Sequence, residues 1–268
     1  MADIEIGVTG CGGRMGRMLL AEIAETKGCR IAGGVDAPGS AALGRDLGEL
    51  AGVVPLGIKA GGDAAALIHT SDVVIDFTAP AASVRHAKLA AASGKALVIG
   101  TTGLDKAQLD AIVAAAKKAP ILTAPNMSVG VNLLLRLVKE AAARLGEDYD
   151  IEIFEMHHRH KVDAPSGTAL ALGGAAASGR GIDLAKKSKR ARDGVTGARQ
   201  AGDIGFAVLR GGDEVGEHRV IFAGPGETLT LGHRATSRRV FARGAVRAAL
   251  WLARQKPGLY GMEQVLAG

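Results

Sequence analysis

A strand-like run that ends on glycines and opens a helix is the feature that most constrains this chain. Ile4-Glu5-Ile6-Gly7-Val8 leads into Gly10-Cys11-Gly12-Gly13-Arg14-Met15-Gly16, and a helix is predicted from Met15 to Thr26. Missing side chains let the backbone turn sharply and approach a bound anion. The N–H groups and dipole at the helix start then favour negative charge. A second predicted strand, Arg30 to Asp36, ends on an acid where a carboxylate can accept from the ribose hydroxyls of a dinucleotide. Each piece has a plainer explanation. Glycines alone serve a ligand-free turn, and Asp36 alone could begin the Ala37-Pro38-Gly39 turn. Strand, glycines, helix and acid in this order together point to a nicotinamide cofactor.

The alternation continues. Val73 to Phe77 reads as a strand followed by a turn at Thr78-Ala79-Pro80. Ser83 to Ser93 reads as a helix, Ala96 to Gly100 as a strand, Asp105 to Lys118 as a helix and Ile121 to Ala124 as a strand. Strands and helices alternating at this spacing form right-handed crossovers and a parallel sheet. Phe77-Thr78 and Gly100-Thr101-Thr102-Gly103 would line the crevice at the carboxyl ends of the strands. After Pro125 the pattern changes. A helix from Asn132 to Leu145 is expected to be capped at Gly146, followed by a strand from Ile151 to Met156. Further strands are expected at Ile204 to Leu209, His218 to Ala223 and Thr228 to His233, the last two joined by a Gly224-Pro225-Gly226-Glu227 turn. Gly179 to Gln200 is basic and glycine-rich and reads as a surface loop. Arg238 to Arg254 reads as a helix returning to the first domain. The fold class is therefore α/β: a Rossmann-like doubly wound parallel sheet plus a second α+β domain with a mixed or antiparallel sheet. The expected bounds are 1–128 with 238–268 for the dinucleotide-binding domain, and 129–237 for the substrate-binding and oligomerisation domain.

Composition narrows the partners. Hydrophobic residues make up 47% and aromatics 3%, so the core is built from Ala, Val, Leu and Ile. Few rings are left to stack on bases, which argues against nucleic acid. The net charge of +6 suits phosphate-bearing cofactors and carboxylate substrates, or a merely solvated surface. Cys11 and Cys29 have no metal-ligand or redox spacing. The start, Met1-Ala2-Asp3-Ile4-Glu5, lacks the basic and apolar regions of a secretory signal. No apolar run approaches the roughly 20 residues of a membrane helix. A cytoplasmic protein without membrane contact is expected.

The most informative run is Glu155-Met156-His157-His158-Arg159-His160-Lys161-Val162-Asp163-Ala164-Pro165-Ser166-Gly167-Thr168. Three histidines in four residues suggest a metal, but along a strand His158 points opposite to His157. No cysteine or nearby carboxylate completes a ligand set, so no metal is expected. An anion site explains the composition better. Lys161 and His158 can hold carboxylates by charge-assisted hydrogen bonds, and the amides of Gly167 and Thr168 at a helix start can hold another. A histidine beside them can supply a proton. A solvated basic loop capped by Ser166 remains the simpler alternative.

At these residues the chain resembles the dihydrodipicolinate reductases, also called 4-hydroxy-tetrahydrodipicolinate reductases. Gly-Gly-Arg-Met-Gly at 12–16, Gly-Thr-Thr-Gly at 100–103, Asn-Met-Ser-Val-Gly-Val-Asn at 126–132, the run at 155–168, Val-Gly-Glu-His at 215–218 and Gly-Ala-Val-Arg-Ala-Ala-Leu-Trp at 244–251 carry the resemblance, which spans essentially the whole chain. It implies NAD(P)H-dependent reduction of 4-hydroxy-tetrahydrodipicolinate in the diaminopimelate route to lysine, by a homotetramer of two-domain subunits. His157 then corresponds to the proton donor and Lys161 to a second catalytic residue, while His158, Gly167 and Thr168 hold the carboxylates of a small cyclic substrate. Gly10, Cys11, Gly12, Gly13, Arg14, Met15, Asp36, Gly100, Thr101, Thr102, Ala124, Pro125, Asn126, Met127 and Arg238 match cofactor contacts. Two departures stand out. Ala37 occupies a position where many relatives carry an Arg that meets a 2′-phosphate, which predicts a preference for NADH over NADPH. Pro125 and Met127 replace the Ala and Phe common in relatives. Two other functions fit the first motif alone: a different nicotinamide oxidoreductase acting on a small dicarboxylate, and a non-catalytic NADH-binding sensor.

Overall fold

Strand β1 (Ile4–Thr9) buries Ile6 and Val8 completely, as a strand covered by helices on both faces must. The computed structural model describes residues 2–267. After β1 come α1 (Arg14–Glu25), β2 (Cys29–Val35), the short helices α2 (Leu47–Ala51) and α3 (Ala64–Thr70), β3 (Val73–Asp76), α4 (Pro80–Ser93), β4 (Ala96–Ile99), α5 (Lys106–Ala116) and β5 (Pro120–Thr123). Helix α6 (Val129–Arg144) leads to β6 (Asp150–His157), α7 (Gly167–Arg180), α8 (Leu184–Lys187), β7 (Ser188–Lys189), β8 (Ile204–Arg210), β9 (Gly216–Gly224) and β10 (Glu227–Ala235). The chain closes with α9 (Arg239–Leu252), β11 (Gly258–Tyr260) and α10 (Met262–Ala267).

Two compact units result, Met1–Val129 with Arg239–Gly268 and Gly130–Arg238. The expected outer bounds at positions 1 and 268 lie outside the described residues. In the first unit six strands pair in parallel in the order β11-β5-β4-β3-β1-β2. The order reverses between β1 and β3, which opens a crevice at their carboxyl ends. Helix α1 turns Leu19, Leu20 and Ile23 onto the sheet, all fully buried, each contributing roughly 1.5–3 kcal/mol. Helix α9 brings Ala242, Ala245, Ala248, Ala249 and Leu252 to the same core. With few aromatics available, these small side chains fill the layer between helix and sheet.

The second unit is a mixed sheet in the order β10-β9-β6-β8-β7, with β6 parallel to β8 and antiparallel to β9. Central β6 alternates strictly, Ile151 and Ile153 pointing inward. They pack with Leu134, Val138 and Ala142 of α6 and with Ala169, Leu172 and Ala176 of α7. The expected hairpin is formed, with Pro225-Gly226 as its two-residue turn between Gly224 and Glu227.

Two local expectations are corrected. The Gly146 cap is not formed: α6 ends at Arg144 and Gly146 is not left-handed. It serves the turn that follows, where a Cβ would stand 2.6 Å from Asp148 Oδ1. Residues 179–200 are more than a surface loop. They carry α8 and β7, and Arg192 and Arg199 grip Glu152 of β6 at 2.7–2.9 Å. The short α2 and α3, capped by Asp46 and Asp63, and the closing β11 and α10 were not anticipated, being too brief to show periodicity.

Candidate active site

The glycine turn is wired more tightly than its sequence suggests. Gly10 takes a left-handed φ of +71°. The amides of Gly10 and Cys11 donate to the Val35 carbonyl at 2.8 and 3.1 Å, and that of Gly13 donates to the Gly10 carbonyl. The Gly12 amide donates to Asp36 Oδ2 at 2.7 Å and the Ala37 amide to Oδ1 at 2.7 Å. The loop amides are therefore used within the protein, and the turn's role is to set the shape. The groups left for an anion are the first N–H groups of α1, whose N-cap Gly13 offers no side chain. A Cβ on Gly16 would overlap the Gly10 carbonyl, so only glycine lets the helix start this close to β1. Cys11 turns its side chain into the core. Burial, and next the charge of Asp36, push its thiol up to about 11.

A cleft of about 900 Å³ opens against this turn. Gly10, Gly13, Asp36, Ala37, Phe77, Thr78, Arg85 and His86 are in its lining, the last two unforeseen because a helix face gives no motif. Glycine cradle, uncapped helix start, carboxylate and cleft fit a nicotinamide dinucleotide. The remaining expected contacts follow β4 and β5 at the same edge of the sheet, but several side chains turn inward. Thr101 Oγ1 accepts from the Thr78 amide at 3.1 Å and the Ser83 hydroxyl at 2.8 Å. Ala124 and Met127 are buried in the core, and Asn126 Oδ1 accepts from the Ser128 amide at 2.9 Å. Gly100 lies against the Phe77 ring, where a Cβ would overlap it. Thr102, Pro125 and Arg14 are exposed, and Met15 is half-buried on the core.

In the second unit, the inward face of β6 that begins with Ile151 and Ile153 ends with Glu155 and His157, 1% and 7% exposed. His157 Nδ1 meets Glu155 Oε2 directly. Glu155 Oε1 accepts from the Ser166 amide at 2.9 Å and from Arg210 Nη2 at 3.0 Å. Strand register supplies the partners: Arg210 of β8 lies opposite His157, and His218 of β9 opposite Glu155. The His218 ring meets His157 edge-on, centroids 5.0 Å apart, and its Nε2 lies 3.1 Å from Ser166 Oγ. That hydroxyl also accepts from the Ala169 amide and caps α7. Burial drives the Glu155 carboxyl upward, but His157, the Ser166 amide and Arg210 outweigh it and hold it down to about 2. Burial, and next the charge of His157, push His218 down to about 4.

The expectation that no carboxylate lies near the histidines is corrected here. Ligand atoms of Glu155, His157 and His218 lie within 4.8 Å of one another. The set suits a proton relay better than a cation, because Glu155 is already engaged by a guanidinium, an amide and an imidazole. Burial alternation shows Glu155 and His157 on one face, a period-2 signal that was available in the sequence. Their partners Arg210 and His218 lie over 50 residues away and carried no such signal.

The residues expected to bind anions gather in the same unit. Helix α7 opens at exposed Gly167, and a Cβ there would meet nothing within 4 Å, so a ligand can reach the helix amides. Thr168 follows, half-buried. Lys161 Nζ pairs with Asp163 Oδ1 at 2.8 Å, a partly exposed pair of the kind worth about 0–1 kcal/mol. His158 Nε2 lies 3.3 Å from an Arg238 guanidinium nitrogen. Desolvation first, and Arg238 next, lower the His158 pKa. Arg238, expected on the cofactor side, is thus placed with the basic cluster of the second unit.

Comparison with known proteins covers both units. The family description "Dihydrodipicolinate reductase, N-terminus" matches residues 4–127, and "Dihydrodipicolinate reductase, C-terminus" matches 130–266. A 4-hydroxy-tetrahydrodipicolinate reductase of Parvibaculum lavamentivorans is 56% identical over 266 residues, covering 99% of this chain and 98% of its own length. One from Rhodopseudomonas palustris is 53% identical over the same shares. Among solved structures, dipicolinate-bound dihydrodipicolinate reductase from Paenisporosarcina sp. TG-14 superposes with a TM-score of 0.79 at 27% identity, covering 98% of this chain and 100% of its own. An amine dehydrogenase from Mycobacterium smegmatis, at a TM-score of 0.62 and 14% identity, shares the fold alone.

Proposed function

The chain belongs to the dihydrodipicolinate reductase family, and from that premise we propose how its residues divide the reaction. It is an NAD(P)H-dependent oxidoreductase that converts 4-hydroxy-tetrahydrodipicolinate to tetrahydrodipicolinate on the diaminopimelate route to lysine. When bound, the nicotinamide cofactor supplies the hydride. The glycine turn would shape the cradle, the first amides of α1 would hold the pyrophosphate, and Asp36 would hold the ribose. A carboxylate at position 36 followed by Ala37 favours a free 2′-hydroxyl, and hence NADH, over a 2′-phosphate.

The substrate is a small ring carrying two carboxylates. Lys161, His158 and Arg238 hold one, and the Gly167 and Thr168 amides at the start of α7 hold the other. His157 gives the proton that neutralises charge developing on the ring as it is reduced. Assembly as a homotetramer belongs to the same reading. Exposed Leu209 of β8, paired with Met156 on the outward face of the second sheet, is the apolar surface that supports it.

The observation that carries the reading is His157, buried against a carboxylate in the same unit as Lys161 and the open start of α7. The assay generates the unstable substrate in a coupled synthesis and follows loss of reduced-nicotinamide absorbance. His157→Gln is expected to lower kcat by about 10²–10⁴-fold with KM little changed, the range for a general acid. Near wild-type turnover would remove it as the donor. No turnover with this ring by the unmodified protein would leave only the cofactor-binding alternatives.

A further inference from the structure

Glu155 is buried on the inward face of β6 and touches three groups that the reaction has to keep in place. One oxygen meets His157 Nδ1, while the other accepts from the Ser166 amide and from Arg210. We propose that Glu155 is the positioning residue of the proton transfer: it fixes the ring and tautomer of His157 so that Nε2 carries the transferable proton, and it ties that donor to the helix start that holds the substrate. The inference rests on His157 being the proton donor and deepens that assignment.

The chemistry follows from which nitrogen is free. With Nδ1 committed to a carboxylate, only Nε2 is left to deliver a proton, and the imidazolium it deliver from is stabilised by the adjacent negative charge. A carboxylate behind an imidazole does this work in hydrolytic triads without being protonated itself. The same carboxylate receives the Ser166 amide, and Ser166 caps α7. Arg210 extends the tie to the loop bearing Lys161, donating to the Asp163 carbonyl at 2.6 Å. Donor and carboxylate cradle therefore share one anchor.

Charges around His157 act in both directions. Glu155 on its own strand and Glu214 before β9 favour the imidazolium. Arg210 on β8 and the basic residues His158 and Lys161 of the following loop oppose it, and His218 on β9 is held neutral by burial. Glu155 alone among these is in direct contact through Nδ1, so its removal is the change that the pH profile should register.

The test compares Glu155→Gln, Glu155→Asp and His157→Gln in the coupled assay, with thermal melts and NADH binding as controls for folding. Glu155→Gln removes the charge at constant size. It is expected to lower kcat about 10–100-fold, the usual loss when a partner orienting a functional histidine is removed, with the substrate KM changed far less. The alkaline limb of its kcat profile should move to lower pH, because the charge favouring the protonated donor has gone. Glu155→Asp retains the charge at a longer reach, so it should lose rate yet keep the limb near its wild-type position. Equal rate losses in Gln and Asp with an unmoved limb would mean that Glu155 merely supports the fold. Wild-type kcat in either variant would overturn the proposal as well. If Glu155→Gln fails to fold, Glu155→Asp decides by its rate. A nearly active His157→Gln would instead show that the donor assignment itself is wrong.

Discussion

Gly216→Ala isolates the placement of the proposed proton donor, His157, from its chemistry. Gly216 opens β9, buried beside His157, and its conformation is one any residue adopts. A Cβ there would stand 2.9 Å from His157 Nε2 and 3.2 Å from Cδ2. Comfortable contacts begin at about 3.5 Å, so the ring must retreat by roughly half an ångström. Its freedom to do so is small, because Nδ1 is held by Glu155 and the face of the pair is closed by His218. The strain on folding is modest, since the displaced atoms end a side chain: about 1 kcal/mol, the low end for overpacking, and a few degrees of Tm. The effect on rate is larger, because a misplacement of about 1 Å can lower activity 10²-fold and half of that about tenfold. We expect kcat to fall about tenfold with the substrate KM and NADH binding nearly unchanged, measured in the coupled assay beside a thermal melt. In a His157→Gln background the same substitution should have no further effect on kcat, since the group it displaces is gone. A folded Gly216→Ala enzyme with kcat within about twofold of wild type would refute the reasoning, because the donor would then tolerate a shift that the geometry says it cannot.

Three further outcomes follow from other parts of the molecule. His218 is lowered from 6.5 to about 4, so the unfolded chain binds its proton first and stability is lost as pH falls through that interval. At about 1.4 kcal/mol per pH unit the loss is about 2 kcal/mol between pH 6.5 and 5; Glu155, lowered from 4.5 to about 2, adds its loss only below that range. Urea unfolding at pH 7 and 5 should show this slope in the wild type and a flatter one in His218→Gln, and equal slopes would exclude His218 as its source. Ala37→Arg should raise kcat/KM for NADPH relative to NADH, and an unchanged ratio would mean that positions 36 and 37 do not meet the ribose. Gly16→Ala sets a Cβ against the Gly10 carbonyl, so it should lower stability by about 1–3 kcal/mol and weaken NADH binding together, read by melting and by cofactor fluorescence.

The parallel sheet was legible in β1 to β5, because each of those strands is a short apolar run bounded by turn residues; β11 and the short crossover helices α2 and α3 gave no such signal. The glycine turn was legible for the same reason: a glycine's absent side chain is visible in the letters. Its wiring was not. Nothing in the run from Gly10 to Gly16 tells that the Gly12 amide reaches Asp36, or that Val35 takes up the amides of Gly10 and Cys11. Backbone donors look alike in sequence, and which of them remain for a ligand is decided only when β2 is laid beside β1. Arg238 shows a related limit. A basic residue at a domain crossing can serve either side, and a shift of one residue moves it from one unit to the other.

The run from 155 to 168 reads as one motif because two kinds of geometry are joined in it. Glu155 and His157 are two residues apart on a strand, so they share a face whatever follows. Gly167 and Thr168 open a helix, so their amides point out of its start whatever precedes. What relates the two is Ser166, whose amide donates to Glu155 and whose hydroxyl caps the helix. The loop between them is free to be basic and exposed, and Arg159, His160 and Val162 are exposed, because its ends are pinned. The spacing is therefore set at its ends by the strand and the cap. A residue inserted between His160 and Ala164 need only bulge outward, whereas one inserted between Glu155 and His157 would turn one of the pair to the opposite face of the sheet. The first change should spare the Glu155–His157 contact and the second abolish it, so the motif's order matters most where it is strand.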